Sequence, residues 1–168
     1  MKLQLLALLS VSLLSMASPA PASARPPAGM VVRADLYLNS MSYDPTRDPK
    51  ADLAAGVVSA QASGKRILLD VGGEWCIWCH ILDDYLARNN DVGDAFAASF
   101  VIVKITWEPK KRNEEFLSAY PDTDGYPHFY VLDSYGKFLA SQKTSPLERG
   151  ESYNKDRMLA FAARWKAS

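Results

Sequence analysis

Cys76 and Cys79 lie where an apolar segment gives way to a helical pattern, and they are the only cysteines among the 168 residues. The apolar segment, Lys65 to Val71, is of the type shown by a strand that is buried on both faces. Residues three apart on a helical turn are neighbours, and their separation of about 5–6 Å suits a disulfide. The junction therefore predicts a buried strand followed directly by a helix that carries a redox-active cysteine pair.

The first 24 residues are predicted to direct export. Lys2 precedes an apolar run from Leu3 to Leu14, and Ala22-Ser23-Ala24 has the small residues of a signal-peptide cleavage site. The run is shorter than the roughly 20 residues that span a bilayer, so we expect no stable membrane insertion. We predict cleavage near Ala24 and a periplasmic or secreted product.

Composition limits what the product can be. Cleavage leaves 144 residues with 18 basic and 19 acidic side chains, enough for one domain with a single core. A net charge so near zero indicates no basic surface for nucleic acid or an anionic membrane. Two cysteines are too few for a scaffold held together by disulfides. We therefore predict a monomer that binds no nucleic acid.

The rest of the chain predicts alternating strands and helices. Residues 25–47 form a lead-in with a predicted edge strand over Met30–Leu38, and residues 48–168 form the domain. Asp48-Pro49 starts a helix that ends at Gly64. Strand, helix, strand, helix, hairpin and helix follow, over Lys65–Val71, Cys76–Asn89, Ser99–Thr106, Arg112–Tyr120, His128–Ser141 and Asn154–Trp165. This order predicts an α/β fold, a mixed central β-sheet with helices on both faces.

The chain resembles the thioredoxin-like superfamily of thiol–disulfide oxidoreductases over roughly residues 50–167. The resemblance is carried, in order, by Asp70, Glu74-Trp75-Cys76-Ile77-Trp78-Cys79, Lys104, Tyr126-Pro127 and Gly136. Ile77-Trp78 replaces the Gly-Pro of thioredoxin and the Gly-His of disulfide isomerases. The resemblance implies a thioredoxin-like fold and exchange with the thiols and disulfides of protein substrates, with no cofactor beyond the cysteine pair.

The two cysteines have different expected roles. Cys76 lies at the first turn of its helix, where unpaired N–H groups and the helix dipole stabilise an anion, so it is the predicted attacking thiolate. Cys79 is the predicted resolving thiol, which closes the disulfide and releases the substrate. The alternative is a static disulfide, although a three-residue spacing closes too small a loop to stabilise a fold much.

Asp70 and Lys104 are the predicted supporting charges. If Asp70 is buried, its pKa rises and it can accept the proton of Cys79 through water. The alternative is a loop carboxylate that accepts backbone hydrogen bonds near Gly72 and Gly73. Lys104 either pairs with Asp70 from the adjacent strand or extends to the surface.

The substrate surface is expected beside the cysteines. The resemblance implies a cis peptide bond before Pro127, and it implies that the backbone of Tyr126 pairs with an extended substrate. Glu74, Trp75 and Trp78 are expected at the rim, with core packing as the alternative for Trp78.

His80 leaves other functions open. Cys76-x-x-Cys79-His80 is also the attachment signature of a c-type haem, for which Met158 or His128 would be the second axial ligand. Two thiolates and an imidazole also suit zinc or Cu(I) in a metal carrier. The strand–helix context favours redox chemistry, and the histidines show no metal-site spacing, so no metal ligand is predicted. A redox-inert binding module is a further alternative.

The predicted direction of electron flow is towards the substrate. An oxidising member needs a strongly stabilised attacking thiolate, and Ile77 and Trp78 bring no charge. The ring of His80 is expected on the polar face of the helix, away from Trp78. A reductant outside the cytoplasm implies a membrane-bound electron donor, whereas a compartment that keeps the pair oxidised would make the protein an oxidase or isomerase.

Overall fold

The computed structural model describes residues 36–110 and 113–167. Five helices, six strands and one 3-10 turn (Ser145–Leu147) are found in these residues. The elements in chain order are α1 (Pro49–Ser63), β1 (Arg66–Gly72), α2 (Ile77–Arg88), α3 (Asn90–Ser99), β2 (Phe100–Thr106), α4 (Glu114–Leu117), β3 (His128–Leu132), β4 (Phe138–Lys143), β5 (Glu148–Arg149), β6 (Ser152–Tyr153) and α5 (Lys155–Trp165).

The main sheet is mixed, in the order β2-β1-β3-β4. Strands β1 and β2 are parallel, whereas β3 runs antiparallel to both β1 and β4. The register sets Asp70 opposite Lys104 on β2 and Val71 opposite His128 on β3. The end of β1, the loop into α2 and the start of β3 therefore meet at one end of the sheet.

Helices cover both faces of this sheet, as predicted. Successive residues of a strand point to opposite faces, so Leu68 joins one core and its neighbours Ile67 and Leu69 join the other. Residues of α2, α3 and α5 build the first core, and residues of α1 and α4 build the second. The near-continuous apolar character of β1 follows from burial on both sides.

Several helix ends lie where local signals place them. The Asp48 side chain accepts a hydrogen bond from the Lys50 backbone N–H at 2.9 Å, and Gly64 ends α1 in the left-handed conformation at φ 68°. Asn154 caps α5 through the backbone N–H of Arg157 at 3.1 Å. These caps satisfy backbone groups that a helix end leaves unpaired.

Other elements differ from the predicted ones. Helix α3 was not predicted because asparagine, aspartate and glycine are weak helix formers, yet Val92 and Phe96 bury one face of it. The small β5-β6 ribbon was not predicted either. From residue 36 onwards the lead-in makes a single parallel bridge, Tyr37 with Ile102, and residues 30–35 of the predicted edge strand lie outside the described residues. No helix in the described part is both long and apolar enough to cross a membrane.

Candidate active site

The two cysteines form a disulfide at the N-terminus of α2. Cys76 is the N-cap residue, and its Sγ accepts a hydrogen bond from the Cys79 backbone N–H at 3.2 Å. Their Cα atoms are 5.3 Å apart, and both side chains are buried, with 4% and 0% exposure. A thiolate at Cys76 would accept the same N–H at the positive end of the helix dipole, so this position favours the ionised form of the Cys76 thiol.

Glycine at position 72 makes room for the disulfide. A β-carbon at Gly72 would lie 2.5 Å from Cys79 Sγ and 2.9 Å from the Tyr43 ring. Real β-carbons do not come so close to other heavy atoms, so this position requires glycine for steric reasons. The end of β1 thus packs directly against the sulfur of the buried cysteine.

Aromatic rings form the exposed surface beside the disulfide. Trp75 is 51% exposed, and its Nε1 donates to the Trp107 carbonyl at 2.9 Å. Trp107 stacks on Tyr126 at 4.7 Å between ring centroids, and Trp75 meets both rings edge to face. Trp107 was missed in the sequence because it belongs to the loop after β2, which carries no motif. Trp78 is half-buried and packs edge to face on Tyr153, in keeping with the core-packing alternative.

The peptide bond between Tyr126 and Pro127 is cis, as the resemblance implies. The Pro127 carbonyl accepts a hydrogen bond from Thr144 Oγ1 at 2.8 Å, which ties this loop to the end of β4. A groove of about 560 Å³ opens next to it, and Trp107, Tyr126 and Pro121 are among its lining residues. The rings of Trp107 and Tyr126 therefore line the groove and also contact the exposed ring of Trp75.

His128 supports the same loop from inside. Its Nδ1 lies 2.8 Å from Thr123 Oγ1 and its Nε2 lies 2.7 Å from Ser141 Oγ. Burial lowers the pKa of His128 to about 4, so its ring is neutral near pH 7. A neutral imidazole held between two hydroxyls serves as a structural link between the loop and β4.

Asp70 is buried behind the disulfide, which was the condition for its predicted role. Its residue exposure is 1%. Burial raises the pKa of Asp70 to about 7, opposed by the positive charge of Lys104 and reinforced by the negative charge of Asp83. A carboxyl group with a pKa near 7 can both take and return a proton under ordinary conditions.

Lys104 follows neither of the two alternatives considered from the sequence. Its side chain is buried, and its Nζ contacts Asp83 Oδ2 at 2.5 Å and the Met41 carbonyl at 2.7 Å. Asp83 lies on α2, and only 24% of its side chain is exposed. The ion pair joins β2 to α2 because desolvated Lys104 requires a carboxylate within reach.

Two tyrosines of the lead-in complete this network and were not predicted. The Tyr37 hydroxyl donates to Asp83, and Lys104 Nζ lies 4.5 Å and 4.3 Å from the ring centroids of Tyr37 and Tyr43. Glu74, which is expected at the substrate rim, is an exposed residue, and its carboxylate also accepts the Tyr43 backbone N–H at 2.6 Å. No local motif marks these tyrosines, since their role depends on where residues 36–43 cross the domain.

The histidines and Met158 do not converge on the two sulfurs. His80 Nε2 lies 2.7 Å from the Glu74 carbonyl oxygen, and His128 lies between Thr123 and Ser141. Met158, on α5, is fully buried in the core that α5 shares with α2 and α3. Within the described ranges, no group of three or more His, Cys, Asp or Glu side chains is arranged to hold a metal ion. These positions do not favour the haem and metal-carrier alternatives.

Comparisons with known proteins agree with this geometry. A thioredoxin-like family model matches residues 48–134. Disulfide bond reductase DsbH from Chlamydia pneumoniae is 24% identical over 87 residues, or 47% of this chain and 52% of that protein. This chain therefore spans about half the length of that relative.

Solved structures extend the comparison. A disulphide isomerase from Xylella fastidiosa is 28% identical with a TM-score of 0.63, and the match covers 76% of this chain and 98% of that one. The oxidised C-terminal domain of Neisseria meningitidis DsbD shares the fold at a TM-score of 0.50 and 21% identity, over 71% and 97% of the two chains. Since the family model spans more than half of the sequence, and the sheet, the cysteine pair and the cis-proline loop agree with it, the chain belongs to the thioredoxin-like family.

Proposed function

We propose that this protein is an exported thiol–disulfide oxidoreductase that reduces disulfides in other proteins. The observation that carries the proposal is the Cys76–Cys79 disulfide at the N-terminus of α2, between an exposed aromatic surface and buried Asp70. A static disulfide would need neither the exposed rings nor a buried carboxyl group.

The reaction follows from the positions of the two sulfurs. In the reduced protein, the Cys76 thiolate attacks a substrate disulfide, forms a mixed disulfide and releases one substrate sulfur as a thiolate. Cys79 then loses its proton to Asp70 and attacks Cys76 Sγ, which re-forms the internal disulfide and releases the second substrate sulfur. The dithiol is oxidised to a disulfide and gives two electrons to the substrate, and the two substrate thiolates take up the proton that Cys76 released to solvent and the proton that Cys79 released to Asp70. Protein substrates dock on Trp75 and Tyr126 beside the cis-proline.

Two features favour the reducing direction. Ile77 and Trp78, between the cysteines, supply no charge that would stabilise the Cys76 thiolate and make the disulfide strongly oxidising. The His80 ring is directed to the Glu74 carbonyl, so its Nε2 is engaged with the backbone. Outside the cytoplasm the Cys76–Cys79 disulfide must be reduced again after each reaction. We propose a membrane-bound electron donor as the second partner of this monomer.

Trapping of mixed disulfides tests the function. Cys79→Ser, which leaves Cys76 without its resolving thiol, is expected to accumulate mixed disulfides with protein substrates on non-reducing gels. Cys76→Ser is the matched control, since it keeps one cysteine in the same loop, and it is expected to accumulate none. Equal trapping by the two variants would show that Cys76 is not the attacking residue.

Equilibration with glutathione buffers tests the direction. A reduction potential near or below about −230 mV supports a reductant, whereas a value near about −120 mV, as for strong oxidants, would refute the proposed direction.

A further inference from the structure

Two buried polar atoms behind the disulfide have no hydrogen-bond partner. They are the Tyr43 hydroxyl oxygen and Asp70 Oδ1, and no other buried side-chain nitrogen or oxygen in the described part of the chain shares this condition. Leaving such a group unpaired costs about 1–3 kcal/mol, and native proteins rarely tolerate it without a reason. Both atoms belong to the same small region of the molecule.

The position of Gly72 locates that region. A β-carbon on Gly72 would lie 2.5 Å from Cys79 Sγ and 2.9 Å from the Tyr43 hydroxyl oxygen. Cys79 Sγ and the Tyr43 hydroxyl oxygen are therefore no farther apart than the sum of these two distances. Asp70 precedes Gly72 by two residues on β1, and residues i and i+2 of a strand face the same side of the sheet. The negative charge of Asp70, second to burial, also raises the pKa of Tyr43. Cys79, Tyr43 and Asp70 therefore surround one buried space.

Tyr43 is held from behind, and its hydroxyl interacts with the Asp70 side chain without forming a hydrogen bond of standard geometry. Lys104 Nζ lies 4.3 Å from the centroid of its ring, and its backbone N–H donates to Glu74 at 2.6 Å. The Tyr37 hydroxyl, by contrast, is taken up by Asp83. The lead-in thus presents one oriented, unpaired hydroxyl to the space beside Cys79.

We propose that the Tyr43 hydroxyl relays the proton from Cys79 to Asp70 when Cys79 attacks the mixed disulfide. The hydroxyl gives its proton to the Asp70 carboxylate and takes the proton of the Cys79 thiol, so tyrosine is unchanged at the end of the step. Cys79 becomes a thiolate, attacks Cys76 Sγ and displaces the substrate sulfur as the leaving thiolate. The inference rests on the proposed exchange function and names an additional residue for its second step.

The charges around Asp70 allow it to act as the proton acceptor. Asp83 and Lys104 form an ion pair with each other, so Asp70 is left to change its protonation state. The titratable groups that influence or face Asp70 come from the lead-in, α2, β2 and β6, and they are Tyr37, Tyr43, Cys79, Asp83, Lys104 and Tyr153.

Stopped-flow reduction of Ellman's reagent separates the two steps. The reduced protein releases one coloured aryl thiolate when Cys76 attacks and a second one when Cys79 resolves the mixed disulfide. In Tyr43→Phe we expect the second phase to slow at least about 100-fold, the lower end of the range of general acid–base effects, while the first phase stays within about twofold. Tyr85→Phe, which removes a hydroxyl from a more distant part of α2, is the matched control and is expected to leave both phases unchanged.

A double-mutant cycle distinguishes a relay from loose packing. If Tyr43 acts through Asp70, Asp70→Asn should slow the second phase by a similar factor, and the double variant should be no slower than the slower single one. Additive effects, an unchanged second phase in Tyr43→Phe, or equal slowing of both phases would overturn the relay. A wild-type protein that releases no second thiolate would overturn the exchange function itself, and the relay with it.

Discussion

Removing the buried charge of Asp70 should stabilise the oxidised protein at neutral and alkaline pH. Burial raises the pKa of Asp70 to about 7, far above that of an exposed carboxyl group. Asp70→Asn keeps the shape of the side chain and removes its ionisation. Lys104 keeps Asp83 and the Met41 carbonyl as partners in the variant, so no buried cation loses its counter-charge.

The size and sign of the effect follow from proton linkage. Between pH 4 and pH 7 the unfolded chain has lost the carboxyl proton while the folded protein still holds it, so rising pH favours unfolding. The pKa difference, from 3.8 to about 7, corresponds to roughly 4 kcal/mol at 1.36 kcal/mol per unit. The buried amide retains an unpaired polar group, so we expect a net gain of about 2–4 kcal/mol above pH 7 and none from this linkage below pH 4.

Urea unfolding from pH 4 to pH 8, without reductant, measures this difference. The gain of Asp70→Asn over wild type should grow steadily between pH 4 and pH 7 and level off above it. Asp84→Asn is the control on α2, because its carboxylate forms only an exposed ion pair with Arg88, of the kind that contributes less than about 1 kcal/mol. A difference for Asp70→Asn that does not vary with pH would refute the buried, protonated carboxyl group.

Two further changes test the surroundings of the disulfide. Gly72→Ala places a β-carbon 2.5 Å from Cys79 Sγ, and urea unfolding should show that overpacking lowers the free energy of unfolding by about 1–3 kcal/mol. Gly125→Ala is the control, because a β-carbon there meets nothing within 4 Å, and it should lower the free energy of unfolding far less. Equal losses in the two variants would contradict the steric role of Gly72. Burial lowers the pKa of His128 from 6.5 to about 4, so wild type should lose stability as the pH falls from 6.5 to 4. The stability advantage of wild type over His128→Gln should therefore shrink by about 2–3 kcal/mol across that range. An advantage that does not change with pH would mean that the His128 ring is not shielded from water.

Much of the fold could be predicted because it depends on neighbours in the chain. An Asp48 cap, a left-handed Gly64 and a hairpin at Gly136 are decided by interactions within a few residues. The cysteine pair belongs to this class, since a three-residue spacing at the start of a helix brings the sulfurs together whatever lies around them. Helix α3 is the exception, because burial of Val92 and Phe96 outweighs its weak helix propensity.

The sequence by itself identified the cysteine pair and Asp70 as candidates for the chemistry, and the tertiary structure decided which side chains surround them. The Lys104–Asp83 pair and the placement of Tyr43 beside Cys79 depend on how α2 and the lead-in lie across the end of the sheet. The rings of Trp107 and Tyr126 meet in the same way, from loops far apart in the chain. A partner for a buried charge or hydroxyl is chosen by distance in space and by the cost of leaving that group unpaired, and neither quantity is encoded by local spacing.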